Sequence, residues 1–189
     1  MTTPTRPDSR AGVGARPFRV LVLCTGNSAR SQIGEALLAT KGAARGAARA
    51  AGDAGRRPVE AASAGSRPAP RVNPYAVEAL RTHGIAWDGR TPKSIDDVAG
   101  QPFDLVITVC DNAREACPYF PGAAAQVHWG LPDPADETEP DAARAAFAAT
   151  YDALAARVDA LLALPLEHLD PGSLRDRAQA IHTRATSAT

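Results

Sequence analysis

The chain has 189 residues, enough for one well-buried core but short for two independent ones. Its 21 Lys and Arg balance 21 Asp and Glu, so no net field draws it to nucleic acid or to an anionic membrane, and any anion must be held by a local site. No apolar run approaches the ~20 residues that span a bilayer, and three cysteines with no secretory signal point away from a disulfide framework and toward a reducing, cytoplasmic compartment.

In chain order, residues 1–17 are rich in Arg, Pro and Thr and are expected to form a disordered leader. A strong strand signal follows at residues 18–23 and runs directly into Cys24, with a helix expected over 31–40. The Ala-, Gly- and Arg-rich segment 42–58 reads as a low-complexity insertion or an extension of that helix. A weaker strand at 59–63 is closed by Gly65. Asn73 and Pro74 have the character of an N-cap and first helical residue, with Val77 and Leu80 facing the core and Gly84 stopping the helix.

The second strong strand, 103–109, again runs into a cysteine, Cys110, and a weaker strand at 126–129 is closed by Gly130. The longest helix is expected over about 140–164. There Phe147, Tyr151, Leu154, Val158 and Leu161 form one apolar stripe, which is core packing and not a cofactor site. Beyond Pro165 the pattern fades into a polar tail, 166–189, with a short helix near 174–181 that packs back on the domain. Strands separated by helices imply βαβ units and an α/β fold whose parallel sheet is covered on both faces, here a single catalytic domain over 18–165.

The most informative stretch is Cys24-Thr25-Gly26-Asn27-Ser28-Ala29-Arg30-Ser31, set between a buried strand and a helix. A glycine-permitted turn lets successive backbone N–H groups converge on one point, and the helix N-terminus adds partial positive charge there. Residues 25–30 thus form a nest for a tetrahedral oxyanion; the second Gly and the Gly-Lys-Ser/Thr ending of a nucleotide loop are missing. Arg30 supplies a planar fork for two oxyanion oxygens, a geometry lysine lacks. Cys24 is the nucleophile at the base of the loop. A free thiol of pKa ~8.5 is only about 3% thiolate at pH 7, and the loop amides, the helix end and Arg30 are expected to lower that pKa. Ser31 can donate to the Cys24 sulfur, and Asn27 can bond across the loop and tolerates a left-handed backbone. A bare Cys-x5-Arg matches many chains by chance; the strand–loop–helix context makes it specific.

In these residues the chain resembles the low-molecular-weight tyrosine phosphatase superfamily, whose members carry Cys-x5-Arg-Ser directly after the first strand. The likeness runs from about residue 18 to 164, with Ser63-Ala64-Gly65 and Leu131-Pro132-Asp133-Pro134 in the expected order. It implies a three-layer αβα sandwich around a central four-stranded parallel sheet, and it makes Asp133 the general acid that protonates a departing oxygen. Within the superfamily the arsenate reductases are more similar, through Thr108-Val109-Cys110-Asp111-Asn112, Glu115-Ala116-Cys117-Pro118 and His128-Trp129-Gly130. Asn27 and Glu35 match positions that in some such reductases help a potassium ion bind. A third ligand there is an Asp after a Ser, and here Ser94 is followed by Ile95, so no metal ligand set is assigned. His128 and Trp129 are expected to pack beside the acid loop.

What the resemblance implies chemically is a relay. Cys24 attacks arsenate (phosphate being the analogue) with help from Asp133, Cys110 attacks Cys24 as arsenite departs, and Cys117 attacks Cys110. An external thiol reductant then resolves the Cys110–Cys117 disulfide: thioredoxin, a glutathione–glutaredoxin pair or another small thiol. No bound cofactor is implied. Were 110–117 one helix, the two Cα atoms would lie ~10 Å apart, whereas a disulfide needs them within ~7 Å. This segment is therefore either a loop or a helix that unwinds during turnover. Two rival readings stand beside this one. A phosphotyrosine phosphatase would use Cys24 alone, yet Pro134 is followed by Ala135 and Asp136 and not by an aromatic wall. A non-catalytic oxyanion-binding protein would only borrow the fold.

Overall fold

Alternation along the first strand sorts the core into two faces. In β1 (Phe18–Cys24), Val20, Val22 and Cys24 join the larger apolar cluster, and Leu21 and Leu23 join the smaller one. The computed structural model describes residues 16–50, 56–116 and 119–187. Within them β1 is followed by α1 (Arg30–Ala50), β2 (Val59–Gly65), α2 (Pro74–Thr82), β3 (Phe103–Thr108), α3 (Asp111–Ala116), β4 (Ala123–His128), α4 (Pro140–Leu162) and α5 (Pro171–Ser187). The four strands form one parallel sheet in the order β2-β1-β3-β4, the expected α/β sandwich. Among the described residues no helix is long and apolar enough to cross a membrane.

The larger cluster lies under α1, α2, α4 and α5. Ile33 and Leu37 meet Ala76 and Leu80, the α4 stripe of Phe147, Tyr151, Leu154, Val158 and Leu161, and Leu174 and Ile181 of α5. The other face has a thinner cover, made by Val98 of the 3-10 turn Ile95–Val98 and by Phe120, whose ring meets Phe103 edge-on at 5.8 Å. Asn73 caps α2 as expected, its side chain accepting from the Tyr75 N–H at 2.9 Å.

Three boundaries differ from expectation, each for a physical reason. The first helix runs past residue 40 to Ala50, so of the two readings of segment 42–58 the helix extension holds as far as Ala50. Alanine and arginine sustain a helix, and Gly42 is needed where it crosses β2, since a Cβ there would come within 2.8 Å of Val59 Cβ. The strand expected at 126–129 begins at Ala123 and ends at His128; alanine carries little strand signal of its own. The short helix expected near 174–181 packs back on the domain as the longer, 17-residue α5, anchored by buried Leu174, Ala178 and Ile181. The part of the leader expectation that concerns residues 1–15 lies outside the described residues, but Arg16 pairs with Asp104 at 2.5 Å.

Two arginines of segment 42–58, Arg45 and Arg57, are structural. Arg45, 4% exposed at its side chain, pairs with Glu167 at 2.6 Å and donates to the Leu162 carbonyl, tying α1 to the end of α4. The Arg57 N–H donates to the same Glu167 oxygen at 2.7 Å. Burial alone would push the Glu167 carboxyl up. Its own backbone N–H, the Arg45 fork and the Arg57 N–H together bring it below the ordinary 4.5. A depressed carboxylate stabilises the fold above its unfolded pKa and loses that contribution as pH falls. Glu167→Gln is therefore expected to lower stability by about 1–3 kcal/mol at neutral pH. The gap from the parent should close as pH drops through and below 4.5, as thermal midpoints across pH will record.

Candidate active site

The strand order places the site. β1 leads by α1 to β2 on one side, and β3 leads to β4 on the other, so a crevice opens between the carboxyl ends of β1 and β3. Cys24 ends β1, and Cys110 follows β3 at the same level, because the Val109 N–H donates to the Leu23 carbonyl at 2.9 Å. Both thiols are buried, Cys24 4% and Cys110 5% exposed, and the Thr25 hydroxyl lies 3.4 Å from the Cys110 sulfur.

The loop is held from outside. The carbonyls of Cys24, Thr25, Gly26 and Ser28 accept from the backbone N–H groups of Ser66, Arg67, Ala69 and Asn73 at 2.8–3.3 Å. A trans peptide whose carbonyl faces outward presents its N–H to the opposite side, which is the interior of the loop. Gly65 of the Ser-Ala-Gly motif permits this packing, since a Cβ there would sit 2.5 Å from the Thr25 oxygen and 2.9 Å from the Asn27 nitrogen. Asn27 has φ 47°, the left-handed conformation expected of it. Its amide donates to Ser31 Oγ at 2.9 Å and Ser63 Oγ at 2.7 Å, while its oxygen accepts from the Lys93 N–H at 2.7 Å and Gln32 Nε2 at 3.1 Å.

The Cys24 sulfur accepts from the Asn27 N–H at 3.1 Å and lies 2.9 Å from Ser31 Oγ, as expected. The expectation of a thiol pKa lowered by the whole motif needs correction. Burial pushes the Cys24 thiol above its ordinary value, against the pull of the Ser31 hydroxyl and the Ser31 and Asn27 N–H groups, and nearby Cys110 pushes it further. Arg30, the full positive charge of the motif, is buried and engaged with the acid loop. It donates to the Leu131 carbonyl at 2.8 Å and pairs with Asp133. Its Nε is buried with no hydrogen-bond partner, the one such side-chain atom among the described residues.

Asp133 thus faces the loop, with one oxygen on Arg30 and the other accepting from the Ala135 N–H at 3.1 Å. Beside it a groove of about 720 Å³ runs along α4, lined by residues such as Leu131, Pro134, Ala146 and Ala149 and by no aromatic ring. Cys24, Arg30, Ser31, Asp133 and Cys110 therefore meet in one place. Cys117 lies outside the described residues. Residues 111–116, for which a loop or a helix was open, are helical in α3.

Several contributors had no role assigned from sequence. Glu35, 6% exposed, accepts from Ser63 Oγ and pairs with Lys93 at 3.0 Å, so an ammonium stands beside the carboxylate that the sequence offered for a potassium ion. Gln32 links Asn27 to Trp87, whose indole N–H donates to it at 2.8 Å. The Ser-Ala-Gly motif was the available signal for Ser63; Lys93 and Gln32 sit in no motif. Trp129 is 1% exposed and donates to the Ala178 carbonyl at 2.9 Å, a packing residue as expected. Among the described residues no three His, Cys, Asp or Glu side chains gather as a metal site.

Comparison with known proteins fits this geometry. The family pattern of the low molecular weight phosphotyrosine protein phosphatases matches residues 19–171. An arsenate reductase of Brevibacillus brevis is 34% identical over 143 residues, covering 74% of this chain and 90% of that protein. The solved structure of an arsenate reductase in the phosphate binding state superposes with a TM-score of 0.61 at 25% identity, over 77% of this chain and 96% of that one. A thioredoxin-dependent arsenate reductase of Corynebacterium glutamicum superposes with a TM-score of 0.54 at 29% identity over 77% of this chain, which spans only 60% of that larger one.

Proposed function

The chain belongs to the low molecular weight phosphotyrosine protein phosphatase family, and within it we propose that this protein is an arsenate reductase that uses Cys24, Cys110 and Cys117 in turn. The observation that carries the reading is the second buried thiol. A phosphatase needs one cysteine, yet Cys110 stands at the same crevice as Cys24 with the Thr25 hydroxyl 3.4 Å from its sulfur. Ala135 and Asp136 follow Asp133-Pro134 where an aryl phosphate pocket would want an aromatic wall, which supports a small inorganic oxyanion over an aryl phosphate.

Arsenate enters the nest of residues 25–30 and takes the place of Asp133 on Arg30. The exchange brings the guanidinium, with its unpartnered Nε, onto the oxyanion, and it frees the Asp133 carboxyl to carry a proton. The positive charge now beside Cys24 favours its thiolate over the raised pKa of the closed pair. Cys24 Sγ attacks arsenic, an As–O bond breaks, and Asp133 protonates the leaving oxygen as water. Cys110 Sγ then attacks Cys24 Sγ. The S–S bond forms, the S–As bond breaks with its electron pair passing to arsenic, and arsenate(V) leaves as arsenite(III). Cys117 displaces Cys24 from Cys110 by ordinary thiol–disulfide exchange, and an external dithiol of the thioredoxin or glutaredoxin class reduces the product. A reducing, cytoplasmic setting is part of this proposal.

The direct test incubates the protein with arsenate and each reductant in turn. Arsenite production coupled to oxidation of a thioredoxin- or glutaredoxin-type dithiol is expected, with weak aryl phosphate hydrolysis beside it. Rapid aryl phosphate turnover with no arsenite from any reductant would instead make it a phosphatase.

A further inference from the structure

His128 is held more firmly than packing beside the acid loop requires. Its Nδ1 lies 2.9 Å from Thr108 Oγ1 and its Nε2 3.2 Å from Asp111 Oδ1. Gly130 makes room for the ring, since a Cβ there would come within 2.6 Å of Nε2. The His128 backbone is clamped by α5: its N–H donates to Gln179 Oε1 at 3.1 Å, and its carbonyl accepts from Gln179 Nε2 at 3.2 Å. That clamp comes from a helix beginning at Pro171, where the family match ends.

The residue that His128 reaches matters more than the ring itself. Asp111 is the first residue of α3 and directly follows Cys110. Its other ion pair among the described residues is an exposed one to Arg114 at 3.5 Å, within the same short helix. Among the described residues, the side-chain tie from Asp111 to the sheet is its contact with His128. Burial, then Arg114, holds the imidazole below its ordinary 6.5 despite the pull of Asp111, so the ring is neutral at pH 7. A proton on Nε2 bonding Asp111, with the Thr108 hydroxyl donating to Nδ1, satisfies both contacts.

We propose that His128 is a positioning residue for the thiol relay: through Asp111 it pins the start of α3, keeping Cys110 seated at the oxyanion loop and restraining the unwinding that brings Cys117 to it. This rests on the arsenate reductase reading. The pinned helix has opposite effects on two steps, favouring attack of Cys110 on Cys24 and opposing attack of Cys117 on Cys110.

The test uses the full chain in its reduced form. Cys110 alkylation by iodoacetamide is followed by peptide mapping, and amide exchange is read over residues 111–116. His128→Ala is expected to raise both the alkylation and the exchange rate about threefold to tenfold, the range for loss of one hydrogen bond. Asp111→Ala should match it, and Asp111→Asn, which keeps the acceptor oxygen, should restore most of the protection. The double variant His128→Ala/Asp111→Ala should exceed neither single one, and aryl phosphate hydrolysis by Cys24 should stay unchanged in all of them. Additive effects in the double variant would mean that His128 acts by packing alone and would overturn the proposal. So would an unchanged Cys110 in Asp111→Ala, whose exposed position keeps the test valid should His128→Ala fail to fold. These readouts need no arsenate. Arsenate reduction surviving in Cys110→Ser would sink the relay reading instead, whatever His128 does.

Discussion

Cys110→Ser is expected to lower arsenate turnover by ~10³-fold or more while hydrolysis of an aryl phosphate stays within about threefold of the parent. Serine keeps the size of the side chain and a polar contact to Thr25, so the crevice between β1 and β3 keeps its shape. The nest, Arg30 and Asp133 are untouched, and Cys24 still forms its first adduct. The missing step is electronic, because an alkoxide at residue 110 cannot close a disulfide onto Cys24. The S–As electron pair then has no route to arsenic, which stays pentavalent and returns to solvent by hydrolysis. Steady-state assays of both activities on one preparation separate this outcome from a folding defect, which would lower the two together.

Arg30→Lys is expected to lower kcat/KM for arsenate by ~10²-fold and to weaken phosphate binding in parallel. Three features of the guanidinium are in play: a contact to the Leu131 carbonyl, the pair with Asp133, and a buried Nε left without a partner. An ammonium can keep the charge but not the planar fork, so at most one oxyanion oxygen is gripped. The variant also weakens the tie to Asp133, so proton delivery becomes less well aimed. Measuring phosphate Kd beside arsenate kinetics divides the loss between grip and proton transfer. A Kd unchanged while kcat falls would place Arg30 in transition-state stabilisation alone.

Much of this site was legible because its parts are local. Two apolar strands each ending in a cysteine predict a crevice with two thiols once the strands are neighbours, and the register of Leu23 with Thr108 makes them so. The Cys24–Ser31 motif carries its own turn chemistry, so the left-handed Asn27 and the Ser31–sulfur contact followed from residue type. What stayed hidden depends on distant chain. Burial of Cys24 comes from distant chain packed over the loop, and with Cys110 nearby it reverses the expected direction of the thiol pKa, while the Asp133 loop draws Arg30 into a pair. Lys93 reaches Glu35 across 58 residues with no local signature. The length of α1 was obscured because alanine, glycine and arginine resemble a linker in composition. Gly42 is explained only by β2 passing beneath it.

The relay from Cys24 through Cys110 to Cys117 is tested most directly by a single turnover. Fully reduced protein is mixed with one equivalent of arsenate and no reductant, quenched with an alkylating agent, and mapped by peptide. The expected product is one arsenite per chain, with Cys24 alkylated as a free thiol and Cys110 and Cys117 joined. No arsenite in this mixture, with Cys110 and Cys117 both free to alkylate and arsenite appearing only once an outside thiol is added, would contradict the relay and leave Cys24 to work with that thiol alone.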